Sequence, residues 1–187
     1  MKLLSYVFGC LLCLGSLQAA NAEKYMPMIE QVKDITFAIP DEYAAASKDT
    51  SMNVNDGFYW GDPQVLNDFF KDTSEIPRPV SPVIQVKLSP NVIQKNPQSF
   101  EGEDLIEGDL KQSGFSRISV QKTVWGNFPV LVLEARSLNG EPLRMAWMGM
   151  NQKDGKSIAF YYVLPSSVKA TDKASFAVWD KFIKETH

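Results

Sequence analysis

Phe128-Pro129-Val130-Leu131-Val132-Leu133 is apolar at every position, and Met145-Ala146-Trp147-Met148-Gly149-Met150 and Ile158-Ala159-Phe160-Tyr161-Tyr162-Val163-Leu164 repeat the pattern. A strand with one wet face alternates apolar and polar residues, so runs of this kind need cover on both faces. Asn139-Gly140 and Lys153-Asp154-Gly155-Lys156 separate them with hairpin-turn chemistry, which makes neighbouring strands antiparallel. Segments near 115–124, 128–137, 141–151 and 157–164 therefore read as a doubly covered meander. The available cover is helical. The expected fold is α+β: an α/β/α sandwich whose central antiparallel sheet of about six strands is covered by helices on both faces.

Working outward, Ile35-Thr36-Phe37-Ala38-Ile39-Pro40 suits a first strand stopped by proline, and 41–57 is polar, with loop and turn residues at Asn53, Asn55, Asp56 and Gly57. Phe58-Tyr59-Trp60 reads as a short aromatic strand. Asp62-Pro63 has the N-cap and first-turn chemistry of a helix, whose apolar face is Val65, Leu66, Phe69 and Phe70. A connection with Pro77, Pro79 and Pro82 leads to the strand Val83-Ile84-Gln85-Val86-Lys87-Leu88. Residues 98–113 have a helical apolar face of Phe100, Leu105, Ile106 and Leu110, closed by Gly114 with Phe115 folding back. Segment 171–186 is the clearest helix, with Phe176, Val178, Trp179, Phe182 and Ile183 on one stripe and Asp172 near its start.

The first 22 residues have a different logic. Lys2, the apolar run from Leu3 to about Leu17, and Ala20-Asn21-Ala22 are the three parts of a cleaved secretory signal, which predicts a mature chain starting at Glu23. The run is shorter than the ~20 residues that span a bilayer. Cys10 and Cys13 are poor lipidation sites, because Phe8 and Leu12 are large for the positions before them. Both cysteines fall within this leader, so residues 23–187 must be held by a core rather than by disulfides. A chain of that length buries roughly 70% of its unfolded surface, enough for one domain. The expected location is periplasmic or secreted.

Composition narrows the chemistry. The only histidine is His187, which leaves no Ser-His-Asp triad and no His- or Cys-ligated metal in residues 23–187. A net charge of −3 without a Lys/Arg run is no footprint for nucleic acid. Ser166-Ser167-Val168-Lys169 contains Ser-x-x-Lys but lacks the companion motifs of penicillin-binding enzymes, and it reads as a solvated loop. Glu101, Glu103, Asp104, Glu107 and Asp109 crowd one helix and read as a solvated acidic face. Met26, Met28, Met145, Met148 and Met150 are soft enough for Cu(I), but in a covered strand methionine is ordinary filler. Trp60 and Trp125 adjoin glycine at strand ends, where an amphipathic ring can anchor a partner.

Several of these segments together resemble the DcrB/PsbP-like superfamily, over residues 33–186. They are Phe37-Ala38-Ile39-Pro40, the short aromatic strand, Val83-Ile84-Gln85-Val86, the acidic helix, Trp125-Gly126-Asn127-Phe128-Pro129 entering the meander, and a last helix with Phe176 and Trp179. The 62–82 segment is longer than the link in many relatives. The resemblance implies the sandwich fold and mostly non-enzymatic roles: envelope lipoproteins, photosystem accessory subunits, a Ran-binding factor and chaperones for secreted effectors.

The expected function is a non-enzymatic envelope or secreted binding module for a protein or peptide partner, anchored by Trp60 and Trp125. It takes no cofactor or metal and makes at most peripheral membrane contact. The alternative is a carboxylate-based hydrolase using two of Asp56, Asp62, Glu101, Asp104 and Glu107, which requires two of these side chains to converge in a cleft.

Overall fold

The computed structural model describes residues 32, 34–47, 57–74, 77–90, 103–151 and 156–187. Its strands are β1 (Ala44–Ala46), β2 (Phe58–Gly61), β3 (Val83–Pro90), β4 (Phe115–Trp125), β5 (Phe128–Ser137), β6 (Pro142–Asn151) and β7 (Lys156–Val163). They form one open antiparallel sheet in the order β1-β2-β3-β7-β6-β5-β4. The meander β4 to β7 follows the order expected from its turns. Gly126 (φ 55°) and Gly140 (φ 84°) supply the left-handed backbone of two of them. The meander then meets β3 through a long-range pairing that runs from Val83↔Val163 to Pro90↔Lys156. The fold is α+β and dominated by its sheet, because the helices are short. Among the described residues no helix is long and apolar enough to cross a membrane.

Alternate residues of a strand point to opposite faces, so the register sorts the side chains. On one face lie Trp60, Ile84, Val86, Phe160, Ala146 and Val132; on the other lie Leu131, Leu133, Met145, Trp147 and Ala159. Both sets are buried, as the doubly apolar runs require. The first face is covered by the helix Ala177–Glu185, preceded by a 3-10 turn at Ala174–Phe176, and its Trp179 and Phe182 are fully buried. Asp172 starts this segment by accepting the Ser175 hydroxyl at 2.7 Å.

Two expectations about the sheet need correction. Segment 35–40 is not a strand of it. This extended segment instead crosses the first face with Ile35 and Phe37 buried in the cluster beneath. It pairs with the C-terminus: Thr36 and His187 exchange backbone hydrogen bonds (2.7 and 3.1 Å), and Thr186 Oγ1 accepts from the Ala38 N–H at 3.2 Å. An edge strand comes from Ala44–Ala46 in the segment read as loop, so among the described residues the sheet has seven strands where about six were expected. Three alanines carry almost no β signal of their own.

Two further helices stand on the second face: α1 (Pro63–Lys71) and α2 (Glu103–Gln112), which makes the terminal helix α3. Asp62 caps α1 as expected, accepting from the backbone N–H groups of Gln64 (2.8 Å) and Val65 (3.1 Å). Leu66 is the buried residue of α1. It reaches the sheet because Gly61 has no side chain. A Cβ on Gly61 would sit 2.7 Å from Val83 Cγ1 and 3.2 Å from Leu66. Gly61→Ala is therefore expected to cost about 1–3 kcal/mol by overpacking, read as a lowered denaturation midpoint. The helix α2 ends at Gly114 (φ 81°), whose N–H bonds to the Lys111 carbonyl at 3.1 Å. Leu110 and Phe115 both pack on the second cluster. The expected start of this helix, 98–102, lies outside the described residues.

Candidate functional site

Trp60 and Trp125 are 0% and 1% exposed. Trp60 packs against Phe37 and Phe58 (both 5.4 Å between centroids), and Trp125 against Phe182 (5.2 Å) and Phe160 (5.4 Å). The Trp125 indole N–H donates to the Ile183 carbonyl at 3.3 Å, whereas Trp60 Nε1 and Trp179 Nε1 are buried with no acceptor among the described residues. The expectation of exposed anchors is thereby corrected. The adjoining glycines mark strand ends truly enough, but which face a side chain takes is set by strand register, and both indoles face the α3 side.

The two described candidate carboxylates are held in local structure. Asp62 is occupied as the α1 cap, and Glu107 pairs with Lys111 at 2.6 Å on the surface of α2. Asp56, Glu101 and the side chain of Asp104 lie outside the described residues. Among the described residues no three His, Cys, Asp or Glu side chains gather in a way that holds a metal ion. Met145 and Met148 are buried on opposite faces of β6, so these two thioethers do not converge. Met26, Met28 and the Met150 side chain lie outside the described residues. Ser166 and Lys169 are both exposed, in keeping with a solvated loop.

A concave feature lies elsewhere, between the connection bearing Arg78 and the start of β4. It is an open cleft of about 270 Å³. Register builds its floor: Gln85 of β3 pairs with Tyr161 of β7, and Val163 follows two residues on. Phe115, Pro142 and Leu143 form one apolar wall, and Val168 belongs to the loop beyond β7. Two rim charges of opposite sign, Arg78 and Glu141, come from connections leading to strands on either side of β7. In the same connection as Arg78, Asp72 accepts from the Ser74 N–H at 2.9 Å, and hydrogen bonding by Ser74 holds its carboxyl below the usual range.

Polar groups on the floor are pre-oriented. The Gln85 amide donates to the Tyr59 hydroxyl at 2.9 Å, and Phe69 and Phe70 of α1 pack edge-on against that ring at 5.3 and 5.5 Å. Burial raises the Tyr59 phenol, with the Gln85 bond opposing. Lys87 Nζ lies 5.1 Å from the centroid of the Tyr161 ring. The sequence held one signal for this site. Gln85 and Lys87 are the polar positions of an otherwise apolar strand, and a central strand with one polar face implies an open surface there.

Two further phenols are locked into the fold, Tyr43 and Tyr162, the second of which also lines the cleft. Tyr43 donates to the Pro82 carbonyl at 3.0 Å, and Tyr162 to the Ser175 carbonyl at 2.8 Å. Burial, with the Glu42 and Asp62 charges adding to it, pushes Tyr43 up from 10.0 to about 12. Burial is also the main cause of the rise at Tyr162. Because the folded phenols hold their protons after the unfolded ones ionise, their stabilisation is complete below about pH 10 and is lost as pH rises toward 12. Urea midpoints measured across that window are expected to fall, and Tyr43→Phe to flatten the fall.

No protein-family model matches the chain, and no curated protein and no solved structure is significantly similar to it.

Proposed function

We propose that this protein is a non-enzymatic binding module of the envelope or secreted fraction that takes a protein or peptide segment in the cleft over Gln85 and Tyr161. The supporting observation is the composition of that cleft. Apolar walls at Phe115, Pro142 and Leu143 enclose an amide and a phenol, and a cation and an anion stand at the rim. These are recognition groups: apolar surface gives affinity, and a few placed polar groups fix orientation. An extended segment presents both apolar side chains and backbone N–H and C=O groups, and its length suits an open cleft better than a small closed ligand does.

The finer fold reading belongs to the same proposal. With α3 on one face of the sheet and α1 and α2 on the other, the chain reads as an α/β/α sandwich of the DcrB/PsbP-like kind. The leader-like residues 1–22 support a periplasmic or secreted location, which sequencing the N-terminus of the protein isolated from cells checks.

A photo-crosslinking amino acid at Leu143, in the cleft wall, tests the site in cells. One discrete cross-linked partner is expected there, with none from the same probe at exposed Lys181 on α3. Equal labelling from both positions would remove the cleft from consideration.

A further inference from the structure

Among the described residues the two edges of the sheet are unequal: β1 has three residues, and β4 has eleven. In an antiparallel strand every second residue directs its N–H and C=O away from its one neighbour, so β4 presents a row of backbone donors and acceptors along its outer side. Edges are commonly guarded by prolines, charges or bulges. Here a register shift between Ser116 and Ser119 bends the first part of β4. From Ser119 to Trp125 the ladder with β5 is continuous, this stretch of β4 has no proline, and Lys122 is its one charge. Val124 in this stretch is 60% exposed, one of few large apolar side chains so exposed among the described residues.

We infer that β4 is the interface of a symmetric dimer, in which a second copy of this chain pairs antiparallel with β4 about a two-fold axis at Gln121. The side chains of the edge are complementary to themselves in that register. Ser119 stands opposite Thr123 of the second copy, and Val120 opposite the aliphatic stem of Lys122, all within the regular part of the strand. Each pair occurs twice, once on either side of the axis. Moving the axis to Lys122 sets two ammonium groups opposite one another, which is repulsive. Moving it to Val120 leaves only Ser119 to Gln121 in regular pairing, against Ser119 to Thr123 with the axis at Gln121, because the strand is bulged before Ser119. Two identical edges close on each other, so assembly stops at two and joins both sheets into one. The cleft stays open in such a dimer, because β4 meets it only at Phe115, before the bulge and outside the paired stretch.

Sedimentation velocity over a concentration series tests the state, and cysteine pairing tests the register. Wild-type protein is expected to reach twice the chain mass. In a chain with Cys10 and Cys13 replaced by serine, Gln121→Cys should form an intermolecular disulfide under mild oxidation, since residues facing across the axis have Cα atoms about 4.5–5.5 Å apart. Val124→Cys, far from its own copy, should not. The double variant Ser119→Lys/Thr123→Lys opposes two pairs of like charges and should weaken the dimer about tenfold. Ser119→Glu/Thr123→Lys should restore it, which a merely structural role of these residues does not predict. Circular dichroism checks that each variant is folded. A monomer at every concentration, equal cross-linking from Gln121→Cys and Val124→Cys, or an unchanged dimer in the double-lysine variant each overturns the inference.

Discussion

Replacing Phe182 by alanine is expected to destabilise the protein by about 3–5 kcal/mol, the range for emptying a fully buried aromatic site. Phe182 is 0% exposed and touches five rings: Phe37, Trp60, Trp125, Phe160 and Trp179, at 5.2 to 6.3 Å between centroids. Those rings come from the 35–40 segment, the sheet and α3, so one cavity loosens three parts of the fold at once. The hole cannot collapse easily, because its walls are large rings held by strand register. Trp179→Ala should fall in the same range for the same reason. Chemical denaturation followed by near-UV circular dichroism measures both; a loss below about 1 kcal/mol is the behaviour of a surface residue and would contradict this packing. Trp60→Phe and Trp125→Phe add a sharper comparison. Each loses the same ring atoms, but only Trp125 also gives up a hydrogen bond, to the Ile183 carbonyl. Trp125→Phe should therefore be the more destabilising by about 1–2 kcal/mol.

Local chemistry was legible where one residue type dominates its surroundings. Asp62-Pro63 opens α1, Gly114 closes α2, and the Phe176, Trp179 and Phe182 stripe buries as its spacing requires. The doubly apolar runs of β5, β6 and β7 told of cover on both faces. What escaped depends on contacts between distant residues. Segment 35–40 has the alternation of a strand, yet its backbone partner is Thr186-His187 rather than a sheet neighbour. The exposure of Trp60 and Trp125 turns on register: Trp60 pairs with Ile84, and Trp125 with Phe128, and these pairs share the α3 face. The cleft requires β3 to lie beside β7, which sets Gln85 against Tyr161 although the two are far apart in sequence. No turn or periodicity announces that pairing. The Pro-rich connection reads as a spacer, and only the fold sets its Arg78 at the rim of the cleft.

Binding to the partner recovered by cross-linking is expected to fall by about 2 kcal/mol or more, roughly thirtyfold, when the cleft is altered at Arg78 and Leu143 together. Arg78 is exposed and Leu143 half-buried at the rim and wall, so Arg78→Glu/Leu143→Ser changes what the cleft offers without emptying the core. The arginine can fork onto a carboxylate or a backbone carbonyl of an extended segment, and reversing its charge converts attraction into repulsion. Leucine to serine removes apolar area from a contact that must exclude water. Glu141→Lys probes the opposite rim. If the segment lies across the cleft with its acidic end at Arg78, this change weakens binding as well, whereas a segment engaging only Arg78 is insensitive to it. Calorimetry with the purified partner gives the affinities, and an unchanged melting temperature shows that the fold is intact. A double variant that binds like the parent would mean that the cleft is not where the partner sits, and the recognition surface would then have to lie on the exposed side of α1 or α3.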